Sequence, residues 1–297
     1  MKRILLIMNP CSGKKKGSRN LAQIVGILNA AEFEVTVHMT ASRGDGTVVA
    51  EQRAKDFDIV VCAGGDGTFN EVVSGVIRSG TQCPIGYIPC GSTNDFANSL
   101  GLSKNILQAT RDITTGEPAY YDVGQFGERH FSYVASFGAF TKTSYATSQN
   151  VKNMLGHLAY ILGGIKEIRS LHGYPVKMET VEGKVLEGNY LFGAISNSTS
   201  VGGILTLDPS LVDMNDGLFE LLLVKRPANL FDLNECILAL TKQNYESRML
   251  EFVSTRAVTI TSQPDMDWTL DGEQEKGHAV VEAKNLHDAI RVIKAKP

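Results

Sequence analysis

The chain has 297 residues, enough for two domains of ordinary size, each with its own hydrophobic core. Hydrophobic residues make up 43% of the chain and charged residues 21%, which excludes a disordered or fibrous protein. The formal net charge is -3, so the basic excess that characterises nucleic-acid-binding proteins is absent, and we predict no nucleic-acid partner.

Cysteine usage and apolar runs bear on where the protein works. The five cysteines are scattered without the paired spacing of a metal site, which predicts reduced thiols and a cytoplasmic location. The apolar run Ile4–Met8 near the N-terminus is too short for a signal peptide. Because no segment reaches about eighteen apolar residues, we predict no transmembrane segment, so that any contact with a membrane would be made from outside the bilayer.

The N-terminal part alternates short apolar strands with helical patterns, which is typical of an open α/β sheet. The predicted strands are Ile4–Met8, Val35–Met39, Ile59–Ala63 and Ile85–Pro89. The predicted helices lie around 21–28, 48–55, 70–78 and 94–100. We predict that residues 1–123 form a nucleotide-binding α/β domain.

After residue 123 the pattern changes to period-two or apolar strands separated by turns, which predicts an antiparallel β-sandwich over residues 124–286. The predicted strands are His130–Phe137, Val176–Val181, Tyr190–Asn197, Leu218–Val224 and Ala257–Thr261. Two amphipathic helices are predicted at Met154–Ile168 and Leu230–Leu240, and such helices face a protein core more often than a membrane. The terminal segment 287–297 is predicted to return to the first domain.

Three glycine-containing turns each follow a predicted strand: Asn9–Gly13, Gly64–Thr68 and Gly91–Thr93. In an open α/β sheet such turns gather at the carboxyl edge, where ligands bind. Glycine lets the backbone approach a ligand closely, and the following helix N-termini present N–H groups to anions. The basic cluster of Lys14–Lys16 and Arg19 adjoins the first turn, and together these features indicate a phosphate-rich ligand.

The second turn matches neither the G-x-G-x-x-G dinucleotide fingerprint nor a Walker A loop, because no Gly-Lys-Ser/Thr triplet closes it. A plain tight turn is the simpler explanation of Gly-Gly-Asp-Gly. However, acidic residues occur among the groups that would bind phosphate. They are Asp66 and the pair Asn70-Glu71, and the pair Asn94-Asp95 on the next loop. Acids at such positions indicate a Mg2+-bound nucleotide rather than a bare anion.

Two acidic turns occur late in the chain, Asp213–Gly217 and Leu270–Glu273. Each can be explained as a simple turn, since Asp-Gly favours turns. A carboxylate in the second turn could instead return to the nucleotide and take a proton from an attacking hydroxyl. Spacing alone leaves these alternatives open.

The resemblance to a known family rests on an ordered set of motifs that runs along essentially the whole chain. The set comprises Asn9-Pro10, Ser12–Lys14, Gly64–Thr68, Asn70-Glu71, Gly91–Phe96, Asp122–Gly124, Asp216-Gly217 and Asp271–Glu273. It resembles the soluble bacterial diacylglycerol kinase and lipid kinase family, which shares its catalytic domain with sphingosine kinases and eukaryotic diacylglycerol kinases. The resemblance implies an α/β domain, a β-sandwich domain and an ATP site in the cleft between them.

The resemblance also implies roles for individual residues. The nucleotide would be lined by Asn9, Pro10, Cys11, Ser12, Gly13, Lys14, Thr40, Gly65, Asp66, Gly67, Thr68, Phe69, Asn70, Glu71 and Ser92. The catalytic set would be Glu273 as proton acceptor, Asp271 beside it, and the acids Asp66 and Asp95. A structural Mg2+ would be held by the side chain of Asp216 and the backbone carbonyls of Asp213 and Leu218.

The function implied by the resemblance is ATP- and Mg2+-dependent phosphorylation of a lipid hydroxyl, with diacylglycerol as the first candidate acceptor. A lipid substrate in turn implies peripheral contact of this cytoplasmic protein with the inner face of the membrane. Two departures concern the acceptor: Asn98 and Gly163 stand where some relatives carry basic residues, with Lys166 three positions on from Gly163. One alternative is a kinase for a soluble metabolite, because NAD kinases and phosphofructokinases use related Gly-Gly-Asp loops. Another is a nucleotide-binding regulatory protein without catalysis. The sequence leaves acyl-chain length and a homodimeric state open.

Overall fold

The computed structural model describes residues 1–92, 94–138, 171–198, 200–201 and 205–296. The helix predicted at Met154–Ile168, the turn residue Thr93 and the departure at Gly163 lie outside these ranges. The chain divides into two compact units, one formed by Met1–Val123 with His287–Pro297 and the other by Gly124–Leu286.

The first unit is built on a parallel sheet. Its strands are β1 (Lys2–Met8), β2 (Phe33–Met39), β3 (Ile59–Gly64) and β4 (Ile85–Pro89). Their order across the sheet is β4-β3-β1-β2, with every neighbouring pair parallel. Strands β3 and β4 are buried along their whole length, as expected for a parallel sheet covered on both faces.

Six α-helices accompany this sheet among the described residues. They are α1 (Lys16–Arg19), α2 (Leu21–Ala30), α3 (Asp45–Arg53), α4 (Asp66–Ser79), α5 (Asp95–Ser99) and α6 (Ile106–Thr115). Helices α2 and α6 contact each other, and α3 contacts α4. One hydrophobic cluster joins alternate residues of β1 to Ile24 and Leu28 of α2 and to Ala109 and Ile113 of α6.

Helices α1, α4 and α6 differ from the sequence prediction, and the four-residue α1 was not predicted. Helix α4 begins at Asp66, four residues before the predicted start near Asn70, so the Asp-Gly-Thr segment forms its first turn. Phe69 packs in the core together with Val72, Val73 and Val76, and this helical spacing extends the buried stripe back into the glycine motif. Helix α6 was not predicted, although Asn105 caps it by accepting the backbone N–H groups that follow.

The strands from residue 117 onward form mainly antiparallel pairs. They are β5 (Glu117–Phe126), β6 (Arg129–Phe131), β7 (Val134–Gly138), β8 (Tyr174–Thr180), β9 (Val185–Ser196), β10 (Ser200–Val201), β11 (Leu205–Thr206), β12 (Phe219–Lys225), β13 (Leu250–Thr255), β14 (Ala257–Ser262), β15 (Trp268–Leu270), β16 (Glu273–Glu275) and β17 (Val280–Lys294). In the second unit, β9 pairs with β7, β8 and β12, and β14 pairs with β8 and β17. The single strand predicted over His130–Phe137 is broken at Ser132 and Tyr133.

The core of the second unit is rich in aromatic side chains, including Phe131, Phe137, Phe219 and Trp268. One further helix, α7 (Leu230–Lys242), buries a stripe that contains Leu233, Cys236 and Leu240. Within the described ranges, no helix combines the length and apolarity needed to span a bilayer.

Candidate active site

The loops after the four strands of the first unit meet at one edge of the parallel sheet. The N–H of Asn9 donates to the carbonyl of Ala63 at 3.0 Å, and the N–H of Cys90 donates to the carbonyl of Gly64 at 2.7 Å. The N–H of Thr40 donates to the last carbonyl of β1 at 2.8 Å. This is the carboxyl edge, where open α/β sheets bind their ligands.

Asn9 ties the first loop to the start of α4. Its Nδ2 donates to Oγ1 of Thr68 at 3.1 Å, and its Oδ1 accepts the N–H of Cys11 at 2.9 Å. The hydroxyl of Ser12 donates to the Asn9 carbonyl at 3.0 Å. Three residues that the sequence predicts at the nucleotide are thus fixed in one hydrogen-bonded turn around Asn9.

Glycines allow the loops to approach one another more closely than any side chain would permit. Gly13 has a φ of +53°, and a Cβ placed on it would lie 1.6 Å from the carbonyl oxygen of Cys90. A Cβ on Gly91 would lie 2.8 Å from Cα of Gly65. The three glycine turns therefore form one cradle of bare backbone, which is the type of surface that binds phosphate groups.

Replacing Gly13 by Ala is expected to weaken nucleotide binding by at least about tenfold and to lower the free energy of unfolding by about 1–3 kcal/mol. The added methyl group collides with backbone, so the Asn9–Gly13 loop or the Cys90 loop must shift. Nucleotide titration and urea unfolding of the purified variant measure the two effects.

The matched control for that change is Gly80→Ala. Gly80 has a similar φ of +69°, but nothing lies within 4 Å of its added Cβ. It should share the backbone cost of an alanine at positive φ without the loss of nucleotide affinity. Equal nucleotide affinities for the two variants would contradict the role given to the close approach at Gly13.

The N-terminus of α4 faces this loop region with its first backbone N–H groups. Gly65 is the N-cap residue and no side chain caps this end among the described residues. The backbone N–H groups of a first helical turn and the positive end of the helix dipole favour an anion here. Exposed Lys15 and Lys16 follow the first loop and add positive charge.

Asp66 joins the starts of two helices. Its carboxylate accepts the N–H of Asp95 at 3.1 Å and the N–H of Phe96 at 3.4 Å. Burial raises the pKa of Asp66 above its ordinary value, and these backbone donors offset part of that rise. Asp95 is itself buried at the start of α5. Two carboxylates that the sequence predicts in the site thus belong to one small region, and both offer the oxygen ligands that Mg2+ prefers.

Two residues predicted to line the nucleotide have structural contacts. The carboxylate of Glu71 accepts the N–H groups of Gly44 at 2.7 Å and Gly46 at 3.0 Å, which fixes the loop before α3. The ring of Phe69 is fully buried and stacks on Tyr87 with 4.4 Å between ring centroids. Only the backbone of Phe69 can therefore contact a ligand at the turn.

A further polar group in the first unit was not predicted as part of the site. Asp122 is fully buried, and its Oδ1 lies 2.9 Å from Nδ1 of His287 and accepts the N–H of Asp288 at 2.9 Å. One ligand atom from each of these three residues lies within 4.8 Å of the others. Asp122 lies 165 residues from His287, so no local sequence pattern relates the two residues.

In the second unit, the catalytic candidate Asp271 is held by the backbone. It is 7% exposed, and its carboxylate accepts N–H groups from Ser132 at 2.5 Å, Tyr133 at 3.0 Å and Val134 at 3.1 Å. Its own N–H donates to the Val134 carbonyl at 2.9 Å. These contacts fix the break between β6 and β7 and the position of the turn that leads to Glu273.

Glu273 begins β16, and its carboxylate is partly exposed. Nη2 of Arg129 lies 3.1 Å from Oε2 of Glu273, while Nη1 of the same guanidinium lies 2.6 Å from Oε2 of Glu275. Arg129 therefore orients the proposed proton acceptor. Sequence analysis missed Arg129, since it lies 144 residues away and belongs to none of the motifs.

The predicted metal turn lies directly before β12. Oδ1 of Asp213 accepts the N–H of Asn215 at 3.0 Å, and Oδ1 of Asp216 accepts the N–H of Leu218 at 2.9 Å. Nδ2 of Asn285 donates to the Leu218 carbonyl at 2.8 Å. Each aspartate retains a second oxygen that these bonds leave unused, so the turn can offer oxygen ligands to a hard cation.

Comparison with known proteins decides the family. Residues 3–126 match the diacylglycerol kinase catalytic domain, and residues 134–294 match the YegS C-terminal NAD kinase beta sandwich-like domain. The diacylglycerol kinase of Bacillus subtilis (strain 168) is 34% identical, with 100% of this chain and 97% of the relative covered. The chain belongs to the diacylglycerol kinase family. It is therefore a kinase, as the sequence predicts. This membership argues against the alternative hypothesis of a nucleotide-binding regulatory protein without catalysis.

Solved structures agree with the fold of this kinase. A proposed diacylglycerol kinase from Bacillus anthracis str. Sterne superposes with a TM-score of 0.81 at 25% identity, covering 99% of this chain and 97% of that one. An NAD kinase from Archaeoglobus fulgidus, solved in complex with ATP, gives a TM-score of 0.50 at 11% identity, with 99% and 93% covered, and shows likeness of fold alone. The predicted fold class, an α/β domain followed by a β-sandwich domain, is confirmed.

Proposed function

We propose that this kinase transfers the γ-phosphoryl group of ATP to the free hydroxyl of diacylglycerol, giving phosphatidic acid, in a reaction that requires Mg2+. The observation that carries the proposal is the glycine cradle at the carboxyl edge of the parallel sheet, in a chain of the diacylglycerol kinase family. The acyl chains of the acceptor remain in the bilayer, so we propose that the enzyme works from the cytoplasm at the inner membrane surface.

The cradle accounts for how the chain would hold ATP. We assign phosphate binding to the backbone of Asn9–Gly13, Gly65–Thr68 and Ser92, with Lys14 and Thr40 at its border. A Cβ at Gly13 or Gly91 would collide with the neighbouring loop. Glycine at these positions therefore leaves backbone N–H groups accessible to phosphate oxygens. Bound ATP supplies the phosphoryl group, and the protein contributes position and electrostatic stabilisation.

Acidic residues of the first unit would place the metal ion. We assign Mg2+ binding to the carboxylates of Asp66 and Asp95. The contact between Asp66 and the backbone of Asp95 keeps these two acids together at the starts of α4 and α5. Glu71 has a positioning role, because its carboxylate already accepts the backbone N–H groups of Gly44 and Gly46 at the start of α3.

Glu273 is assigned as the proton acceptor, held in orientation by Arg129. As the acceptor oxygen forms its bond to the γ-phosphorus, the bond from that phosphorus to the β–γ bridging oxygen breaks and ADP leaves. The hydroxyl proton passes to a carboxylate oxygen of Glu273, so charge and atoms balance. Asp271 supports this role by fixing the turn that carries Glu273.

A second Mg2+ is assigned a structural role in the β-sandwich, held by the side chain of Asp216 and the carbonyls of Asp213 and Leu218. The turn offers only oxygen donors, which suits a hard divalent cation. Such an ion stabilises the folded state because it binds only when the turn is formed.

The alternative is a kinase for a soluble metabolite, which the fold likeness to an NAD kinase keeps open. The segments Asn94–Phe96 and Asp271–Glu273 favour the lipid kinase, because together they match that family's motifs. The test is to incubate the enzyme with Mg2+ and ATP labelled in its γ-phosphate, once with a lipid extract and once with soluble metabolites. We expect label in the organic phase of the lipid reaction, whereas label confined to soluble products would support the alternative.

A further inference from the structure

Glu220 is a buried acid that the proposed reaction does not use. It lies near the start of β12 and is 1% exposed, and its Oε2 has no hydrogen-bond partner among the described residues. Its neighbours in β12, Phe219 and Leu221, belong to the hydrophobic core. A buried carboxylate with an unused oxygen is costly, because burial removes the water that would otherwise solvate it.

The charged groups around Glu220 increase that cost. Glu220 follows Asp216 by four residues and Asp213 by seven, so all three acids lie in the turn and at the first residues of the strand that follows it. Negative charges placed this close together in the chain repel one another. A cation among them would turn this repulsion into attraction.

A second unused oxygen belongs to Asn285. Its Nδ2 donates to the Leu218 carbonyl at 2.8 Å, and this bond sets the orientation of the amide. The Oδ1 atom on the other side of the amide is buried and has no partner in the part of the chain that the structure describes. Leu218 is one of the two residues whose carbonyl is assigned to the structural Mg2+.

We propose that Glu220 and Asn285 complete the divalent-cation site at the Asp213–Leu218 turn, each supplying a side-chain oxygen directly or through a bound water. This inference rests on the proposed structural Mg2+. It explains why two buried acceptors without partners adjoin one acidic turn. All donors are oxygen atoms, so the site suits Mg2+ or Ca2+ rather than a transition metal.

The test compares cation affinity and thermal unfolding of the full chain, stripped of metal and kept free of nucleotide, during titration with MgCl2. Glu220→Gln preserves the shape of the side chain and removes its charge. Mg2+ affinity should fall by about 10- to 100-fold. Without Mg2+, the variant should unfold at the wild-type temperature or above it, because a buried acid beside Asp213 and Asp216 has been removed.

Three further variants accompany this measurement. Asp216→Ala should abolish the stabilisation by Mg2+, as required by the proposed metal turn. Glu251→Gln is the matched control, since Glu251 is a partly buried acid of β13 paired with Lys225, and it should leave Mg2+ affinity unchanged. Asn285→Ala provides a second direct test and should also weaken Mg2+ binding.

The outcomes separate the inference from the function on which it rests. Wild-type affinity in both Glu220→Gln and Asn285→Ala, with loss in Asp216→Ala, would overturn the inference and leave the metal turn standing. A wild-type protein that Mg2+ does not stabilise would refute both. If Glu220→Gln fails to fold, the Mg2+ affinity of Asn285→Ala tests the inference alone. A wild-type Mg2+ affinity in Asn285→Ala would then overturn it.

Discussion

Glu273→Gln is expected to lower turnover by about 10²–10⁴-fold, the usual contribution of a general base. Glutamine has the same shape and keeps an oxygen that can accept from Nη2 of Arg129, which lies 3.1 Å from Glu273 in the structure. It cannot accept the acceptor's proton at neutral pH. ATP affinity and thermal unfolding should therefore remain near wild type, because the substitution removes chemistry and leaves packing in place.

The measurement is kcat at saturating ATP and lipid, with the unfolding temperature recorded on the same preparations. Glu282→Gln is the control, since Glu282 is an exposed acid of β17 in the same unit and should retain full turnover. Normal turnover of Glu273→Gln would remove its assignment as the base. Loss of turnover accompanied by a large fall in unfolding temperature would assign Glu273 a structural role instead.

Asp271→Ala should lower the free energy of unfolding by at least about 3 kcal/mol, because it leaves three backbone N–H groups without their acceptor. Those donors belong to Ser132, Tyr133 and Val134, and the carboxylate that binds them is 7% exposed. Asp271 also has a φ of +47°, which alanine adopts at a further cost. Turnover should fall as well, since the turn that presents Glu273 is no longer fixed.

Urea unfolding at constant m-value measures this loss. Asp288→Ala is the matched control, because Asp288 has a φ of +54° and a side chain 47% exposed. It shares the backbone cost and lacks the three donors, so its destabilisation should be much smaller. Equal destabilisation in the two variants would show that backbone strain, rather than the carboxylate contacts, accounts for the effect at Asp271.

Strong local patterns explain which parts of the fold could be predicted. The apolar strands of the first unit and the glycine turns after them are marked by residue type alone, and the structure places them along one sheet edge. The start of α4 was predicted four residues late, because Gly65 and Gly67 resemble a loop. The spacing of Phe69, Val72 and Val76 carried the missing signal, since it continues the helical stripe into the motif.

Contacts between distant residues could not be predicted in the same way. Arg129 and Glu273 are 144 residues apart, and no spacing rule relates them. Likewise, sequence shows that Asp271 lies in a turn but not that its oxygens accept three backbone N–H groups. Glu220 sits among apolar strand residues, so its burial without a partner for Oε2 became visible only in the folded chain.

The central claim, that this kinase phosphorylates diacylglycerol at the expense of ATP, is tested most directly by the stoichiometry of its products. Purified enzyme, Mg2+ and ATP are incubated with vesicles that contain diacylglycerol, and ADP and phosphatidic acid are quantified together by mass spectrometry. We expect equal amounts of the two products, and none of either when Mg2+ is withheld. Formation of ADP without phosphatidic acid, or an unreacted mixture under all conditions, would contradict the proposed function.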